Sequence, residues 1–339
     1  MSDDAERGRA PNIRDVARLA GVSHQTVSRV LNNHPSIRDS TRDRVLAVMD
    51  EVNYRPNRAA RALVTSRSRT IGVLASQRSQ YGPASMIQAI ENASKDAGYL
   101  VSTSNLPDTS EASIVAAVEH LLAQSVDGIV VIAPQVRVFR AIEELQVRVP
   151  FVAVQSGGDL DDHSIGVDQV AGGRLATRHL IELGHRNIYH LAGPQDWIEA
   201  EARMRGFLAE MSAQDVPTTA PILGDWTADF GYRAGIELMR VRDFTAIFSS
   251  NDQMALGLIH AIRDEGYDVP RDVSIVGFDD IPEASHFWPP LTTVRQDFDE
   301  LGRRCVAHLL GNLEVDAVGY RGTIEPELIV RKSAGPPAF

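Results

Sequence analysis

The sequence predicts a mixed chain, α + α/β: an all-α head with a helix-turn-helix, then a body of two doubly wound lobes. Three observations predict it. The first seventy residues show only helical periodicity, the remainder alternates short β-branched runs with amphipathic helices, and the charge divides at the same place. The 339 residues are 43% hydrophobic and 23% charged, a globular balance that excludes wholesale disorder and fibrous repeats. The net charge is −11, yet residues 1–69 hold 13 arginines, no lysine and 8 acidic residues, a surplus of +5 that leaves −16 on the rest. A basic end on an acidic body is the distribution expected where one end alone approaches phosphates. A solvated arginine-rich surface is the bland alternative, and motifs must decide between them.

Asn12 is a good N-cap for a first helix over Ile13 to Ala20, with Asp15 in the turn where the helix dipole favours an anion. Gly21 breaks the pattern. Ser23 caps a second helix, His24 to Leu31, with Val27, Val30 and Leu31 inward, and a third runs from about Ser40 to Val52, burying Val45, Leu46, Val48, Met49 and Val52. Two short helices joined by a tight glycine turn read as a helix-turn-helix. The second helix of that motif enters the major groove with its N-terminal side chains against base edges. Here those are His24 and Gln25, then Ser28 and Arg29 one turn later. Gln pairs two-fold with adenine and Arg with guanine, each pairing discriminating by roughly 1–3 kcal/mol. Ser23, Thr41 and Tyr54 offer hydroxyls to phosphates, and Asn12, Arg14 and Asn32 complete the expected DNA-facing set on these helices.

After Tyr54 comes Arg55-Pro56-Asn57-Arg58-Ala59-Ala60-Arg61-Ala62-Leu63-Val64. Proline opens a helix and the Ala/Arg run favours one, but about eight residues is too short to be stable alone in water. A marginal basic helix ending in Leu63 suits folding on a minor groove, where an apolar wedge unstacks a base step; Asn57 and Arg61 face the DNA with it. An ordinary interdomain linker is the other reading of this stretch, and Thr65 to Arg69 is linker-like. The expected division is therefore residues 1–54 as DNA-binding head, 55–69 as hinge and linker, and 70–339 as body.

In the body, strands are expected at Ile71 to Leu74, Leu100 to Ser102, Gly128 to Ile132 and Phe151 to Val154, with helices over Ser85 to Ala97 and Glu111 to Gln124 between them. A second series has helices at Ala171 to Leu183, Ala200 to Met211 and Gln253 to Glu265, and strands at Ile188 to Leu191, Ala246 to Ser249 and Ser274 to Gly277. Alternation of this kind implies parallel sheets, with ligands beyond the strand C-termini. The polar residues there are Ser76 and Gln80 with Pro83, then Gln155, Asn251 and Asp252, and Asp279 and Asp280; Arg203 and Trp226 follow the second series' early strands. Planar donors and acceptors suit hydroxyl pairs, and an indole suits the apolar face of a pyranose. Asp252 and Asp280 read equally well as helix caps, and Trp226 as core.

Other classes find little support. The longest apolar runs are far short of a membrane span, Met1-Ser2-Asp3-Asp4 is no secretory signal, and the single Cys305 forms neither an internal disulfide nor a zinc site, so a reducing cytoplasm is expected. No dinucleotide fingerprint, Walker sequence, nucleophile elbow or metal-ligand spacing occurs. Neither catalysis nor a metal nor another cofactor is expected.

Asp15-Val16-Ala17-Arg18-Leu19-Ala20-Gly21-Val22-Ser23, Thr26-Val27-Ser28-Arg29-Val30-Leu31-Asn32 and Asn53-Tyr54-Arg55-Pro56-Asn57 resemble the head of the lactose/galactose repressor (LacI/GalR) family of transcriptional regulators. Ala192-Gly193-Pro194, Gly224-Asp225-Trp226, Asn251 to Gly257, Gly277-Phe278-Asp279-Asp280 and Pro289 to Phe298 resemble its effector domain, most closely in the lactose-responsive branch. The resemblance implies a periplasmic-binding-protein-like body and a homodimer on a palindromic operator, with residues after Pro56 as a hinge helix and Leu63 as its minor-groove leucine. It implies effector contacts from Ser76, Pro83, Arg203, Trp226, Asn251, Asp279, Gln296 and Phe298. Gln80, Gln155 and Glu199 depart from the lactose-responsive pattern around the sugar ring, which points to a related glycoside, and Arg38 stands where relatives have a capping serine, leaving Asp39 as the expected cap. The expected function is a repressor released from DNA by a sugar. A regulator whose ligand is a corepressor, such as a nucleobase, is the alternative, and a sugar-binding protein with an idle head the remaining rival.

Overall fold

The computed structural model describes residues 11–31, 34–55, 67–76, 79–133, 135, 138, 141–142, 144–145, 147–155, 164–311, 313 and 323–338. Asn32, Asn57, Arg61, Leu63 and the hinge helix expected after Pro56 lie outside these residues. The chain forms two units, Met1–Ser68 and Arg69–Phe339.

In the first unit, α1 (Ile13–Leu19) opens on a reciprocal cap: Asn12 Oδ1 accepts the Arg14 and Asp15 N–H groups at 2.8 and 3.2 Å, and the Asp15 carboxylate accepts the Asn12 N–H at 2.9 Å. Gly21, at φ +64, makes the left-handed turn into α2 (His24–Leu31), whose first turn is held by Ser23 Oγ accepting from the Thr26 N–H. Helix α3 (Asp39–Glu51) crosses both, and Val16, Ala17, Ala20, Val27, Val30 and Val45 form the buried core. Two expectations are corrected. Asp39 is the first helical residue and Arg38 the cap position, with no side-chain cap bond, so Asp39 acts on the helix dipole only. Leu46 is 47% exposed, because only Val45 on that turn faces the core.

The second unit holds two six-stranded sheets. The first has the order β11-β5-β4-β3-β1-β2 and is parallel throughout: β1 (Thr70–Ser76), β2 (Leu100–Leu106), β3 (Gly128–Ile132), β4 (Phe151–Val154), β5 (Ser164–Val167) and β11 (Thr323–Ile324). The second has the order β12-β10-β9-β8-β6-β7, from β6 (Ile188–Ala192), β7 (Ile222–Leu223), β8 (Ala246–Ser249), β9 (Ser274–Asp279), β10 (Thr292–Arg295) and β12 (Glu327–Ile329), with only β12 antiparallel. Parallel sheets need cover on both faces. On the first sheet, α4 (Tyr81–Asp96) and α10 (Phe298–Gly311) cover one face through Met86, Ile90, Leu301 and Leu309, and α5 (Glu111–Ala123) the other through Ile114 and Leu121. On the second, α6 (Gln169–Glu182) and α7 (Ile198–Ala213) lie on one face, and α8 (Ala228–Val241) and α9 (Asp252–Asp264) on the other.

The lobes are not consecutive pieces of chain. The polypeptide passes to the second lobe after Val167, returns to the first after Arg295, and leaves it again after Ile324. Three adjacent crossings join the two sheets beside the ends of their strands. Sequence periodicity identifies each element but does not say which sheet it joins, so the return of α10 and β11 was not readable. Among the described residues, no helix is long and apolar enough to cross a membrane.

Candidate functional site

The second helix of the head presents its N-terminal residues outward. Ser23, His24, Gln25 and Arg29 are exposed and Ser28 half-buried, while Val27 and Val30 on the opposite side are buried. Arg14 is exposed, and Asn12, Thr41 and Tyr54 are half-buried. A rigid apolar face thus holds a polar face in the open, the arrangement a major-groove reader needs.

In the second unit, strand C-termini and the helices that follow them line a cleft between the lobes. Its first-lobe wall is mainly apolar, from Pro83, Met86, Ile132, Val154, Val167, Phe298 and Leu301, with Gln80 and Tyr81 at the start of α4. Its second-lobe wall is polar and aromatic: Trp197, Glu199, Arg203, Trp226, Asn251, Gln253 and Asp279, with Gln169 and Gln296 at two lobe crossings.

Arg203 organises the polar wall. Its Nε donates to Gln169 Oε1 at 2.8 Å, Nη1 to the Ser250 carbonyl, and Nη2 lies 3.4 Å from Asp279 Oδ1. Gln169 Nε2 donates to Gln296 Oε1 at 2.6 Å, and Gln296 Nε2 to Asp279 Oδ1 at 2.7 Å, closing a ring of four side chains. The guanidinium also lies over the Phe278 ring at 3.8 Å. Arg203 reaches this place because α6 and α7 pack closely: a Cβ on Gly173 would collide with the Arg203 carbonyl. Gly193 likewise leaves room for the Trp226 indole, which a side chain there would strike.

Trp226 is 6% exposed and belongs to the core as well as the cleft, with Trp197 edge-on at 5.2 Å between ring centroids. Asn251 caps α9 through Oδ1 on the Met254 N–H and donates from Nδ2 to the Trp226 carbonyl, both at 2.9 Å. Asp252 is a tether: its carboxylate accepts the Ile281 N–H at 2.9 Å and the Thr293 hydroxyl at 2.6 Å. Trp226, Asp279 and Asp280 have φ of +72, +108 and +52, left-handed values that cost energy for non-glycine residues and that these tethers hold in place. Asp280 caps no helix; it pairs with Arg295 and Arg331 at 2.7 and 2.6 Å.

Burial sets the ionisation of the wall. It raises the Asp279 carboxyl to about 6 against the pull of Arg203, raises Glu199 to about 7, and holds Asp252 well above the ordinary range. Glu199 Oε2 and Trp226 Nε1 are buried without a hydrogen-bond partner. Among the described residues, no group of three His, Cys, Asp or Glu side chains is placed to hold a metal.

The model of bacterial regulatory proteins, lacI family, matches residues 12–57, and that of the periplasmic binding protein-like domain residues 177–334. The lactose operon repressor of Escherichia coli (strain K12) is 36% identical over 321 residues, covering 94% of this chain and 89% of its own. The chain belongs to the lacI family. It is accordingly a transcriptional repressor with a helix-turn-helix DNA-binding head, not an enzyme. The lac repressor dimer bound to operator and the anti-inducer ONPF superposes with a TM-score of 0.86 at 34% identity, over 96% of this chain and all of that one. A CelR–cellobiose complex superposes at 0.68 and 30%, over 96% and 100%.

Within this lacI-family body, nine of the eleven residues expected at the ligand line the cleft: Gln80, Pro83, Glu199, Arg203, Trp226, Asn251, Asp279, Gln296 and Phe298. Ser76 and Gln155 do not. Ser76 is buried at the end of β1, donating to Gln135 Oε1 at 3.0 Å, and Gln155 continues β4 with its N–H on the Ile165 carbonyl. Gln169 and Trp197 went unnoticed in the sequence. Gln169 follows a four-residue strand containing a glycine, too short to register, whereas Trp197, at the cap position of α7 and two residues before Glu199, carried a readable signal.

Proposed function

We propose that this repressor acts as a homodimer on a palindromic operator and is released when a sugar closes the cleft. The observation that carries the ligand class is the pair of buried, unpartnered polar atoms on the cleft wall, Trp226 Nε1 and Glu199 Oε2. A buried donor and a buried acceptor left open cost free energy that a hydroxylated ligand recovers. Asp279 Oδ1 takes the bonds from Arg203 and Gln296, leaving Oδ2 for such a ligand. Indole and phenyl rings opposite serve the apolar faces of a pyranose. The relatives bound to operator with ONPF and to cellobiose support the same reading. Ser76 and Gln155 then act behind the wall.

On the DNA side, His24, Gln25, Ser28 and Arg29 read base edges. Asn12, Arg14, Ser23, Asn32, Thr41, Tyr54, Asn57 and Arg61 position the head on phosphates and sugars, and Leu63 wedges the minor groove. A ligand preferring the closed cleft weakens operator affinity by the factor by which operator weakens the ligand, about 5–150-fold for a coupling of 1–3 kcal/mol. A thermal-shift screen over mono- and disaccharides finds the ligand, since one at 100 times its dissociation constant adds about 2.7 kcal/mol. Operator titration with that sugar then tests the sign: weaker binding is expected, and tighter binding would make the ligand a corepressor.

A further inference from the structure

Among the described residues, Glu199 is the one ionisable side chain on the polar wall with an oxygen both buried and unpartnered. The nearest cation does not satisfy it. Arg203, one turn later on α7, spends Nε on Gln169, Nη1 on the Ser250 carbonyl and Nη2 on Asp279. The charged groups that face Glu199 are Arg203 on its own helix and Asp279 at the end of β9, so the wall holds two carboxyls to one guanidinium. We propose that Glu199 is a specificity-determining residue whose carboxylate takes a hydroxyl of the sugar, so that binding drives a proton from this side chain into solvent. The proposal rests on the sugar reading above.

The direction follows from charge. A hydroxyl donated to a carboxylate makes a charge-assisted bond, stronger than one to a neutral acceptor. In the empty cleft burial pushes the Glu199 carboxyl up to about 7, and a donated hydroxyl pulls it down again. Ligand affinity is therefore complete above the empty-cleft value and falls as pH drops through it, by up to about tenfold per unit. A neutral carboxyl donating to the sugar would give the opposite slope. Asp279, raised to about 6, titrates nearby, but its share of any slope survives the loss of Glu199.

The test is calorimetric titration of the full-length protein with lactose, cellobiose and methyl galactoside at about pH 6 and about pH 8. The sugar that binds is expected to bind about tenfold more tightly at the higher pH, with protons released in paired buffers of different ionisation enthalpy. Glu199→Gln is expected to flatten both. Equal affinity at the two pH values, tighter binding at the lower one, or a slope kept in full by Glu199→Gln overturns the proposal and leaves the sugar reading standing. If none of the three sugars binds at either pH, the sugar reading falls and this proposal with it. Should the variant not fold, the proton count of the unaltered protein decides, and no release near neutrality overturns the assignment.

Discussion

In the head, His24, Gln25 and Arg29 stand on the exposed side of a helix whose packing is done by Val27 and Val30. In the cleft, Arg203, Asn251 and Asp279 are themselves buried, and the bonds they make hold α7, α9 and the end of β9 in place. The two regions therefore divide labour differently. On the proposed assignment of site residues, the head separates reading from folding, so its recognition residues are free to change with the operator. The cleft merges them, so a change of ligand must be made at the few wall residues the scaffold does not use. Glu199 is such a residue and Arg203 is not. All three tryptophans, Trp197, Trp226 and Trp288, lie in the body, so their fluorescence follows its unfolding apart from that of the head.

The largest effect expected is at Arg203. Arg203→Ala strands the buried Asp279 carboxyl and opens the ring through Gln169 and Gln296, and removal of one member of a buried pair costs about 3–5 kcal/mol. Denaturant unfolding followed by tryptophan fluorescence measures it. Adding Asp279→Asn to that variant should recover part of the loss, because the stranded charge goes with it. A body as stable as the unaltered one would show that the cleft does separate function from folding, as the head does.

Arg29→Ala comes next and should act only on recognition. Discrimination at one base position is expected to drop by about 1–3 kcal/mol, with the head's thermal transition unchanged within about 0.5 kcal/mol. Systematic operator variants in a binding assay separate this from a uniform loss across all sequences, which would move Arg29 to the phosphates. Asn12→Ala tests the head's own scaffold. Losing the reciprocal cap of α1 should cost about 1 kcal/mol of head stability, seen by circular dichroism, while the tryptophan-detected transition stays put.

How far these differences can be read from sequence depends on the scale of the signal. Helix α2 and the caps at Asn12 and Ser23 were legible because both rest on residues three or four apart. The strand ends that carry Asn251 and Asp279 were legible because β-branched runs precede them. Helix α8 also carried a readable signal, with Phe230, Ala234, Leu238 and Met239 on one face, although Gly231 and Gly235 on that face, in close approach to α9, add nothing to it. The ring of Arg203, Gln169, Gln296 and Asp279 was not legible, since its members come from α7, α6, the crossing after β10 and the end of β9, brought together only by the crossings. The same holds for Asp252. Its neighbour Asn251 is the cap, and the aspartate's tether to Ile281 and Thr293 depends on how β9 and β10 pair.

One effect vanishes altogether at low pH and sharpens the comparison most, because it asks whether Glu199 contributes to folding at all. Its carboxyl is raised to about 7 from an ordinary 4.5, so folding penalises the ionised form. A raised acid costs nothing below its unfolded value. The cost grows as pH climbs from there and levels off above the folded value. A shift of that size corresponds to about 3 kcal/mol. Glu199→Gln should therefore leave the body's melting temperature unchanged near pH 4.5 and raise it by several degrees near pH 8, without ligand. The opposite sign, a loss at the higher pH, would mean that the carboxylate supports the fold, and Glu199 would then belong with Arg203 on the structural side of the wall.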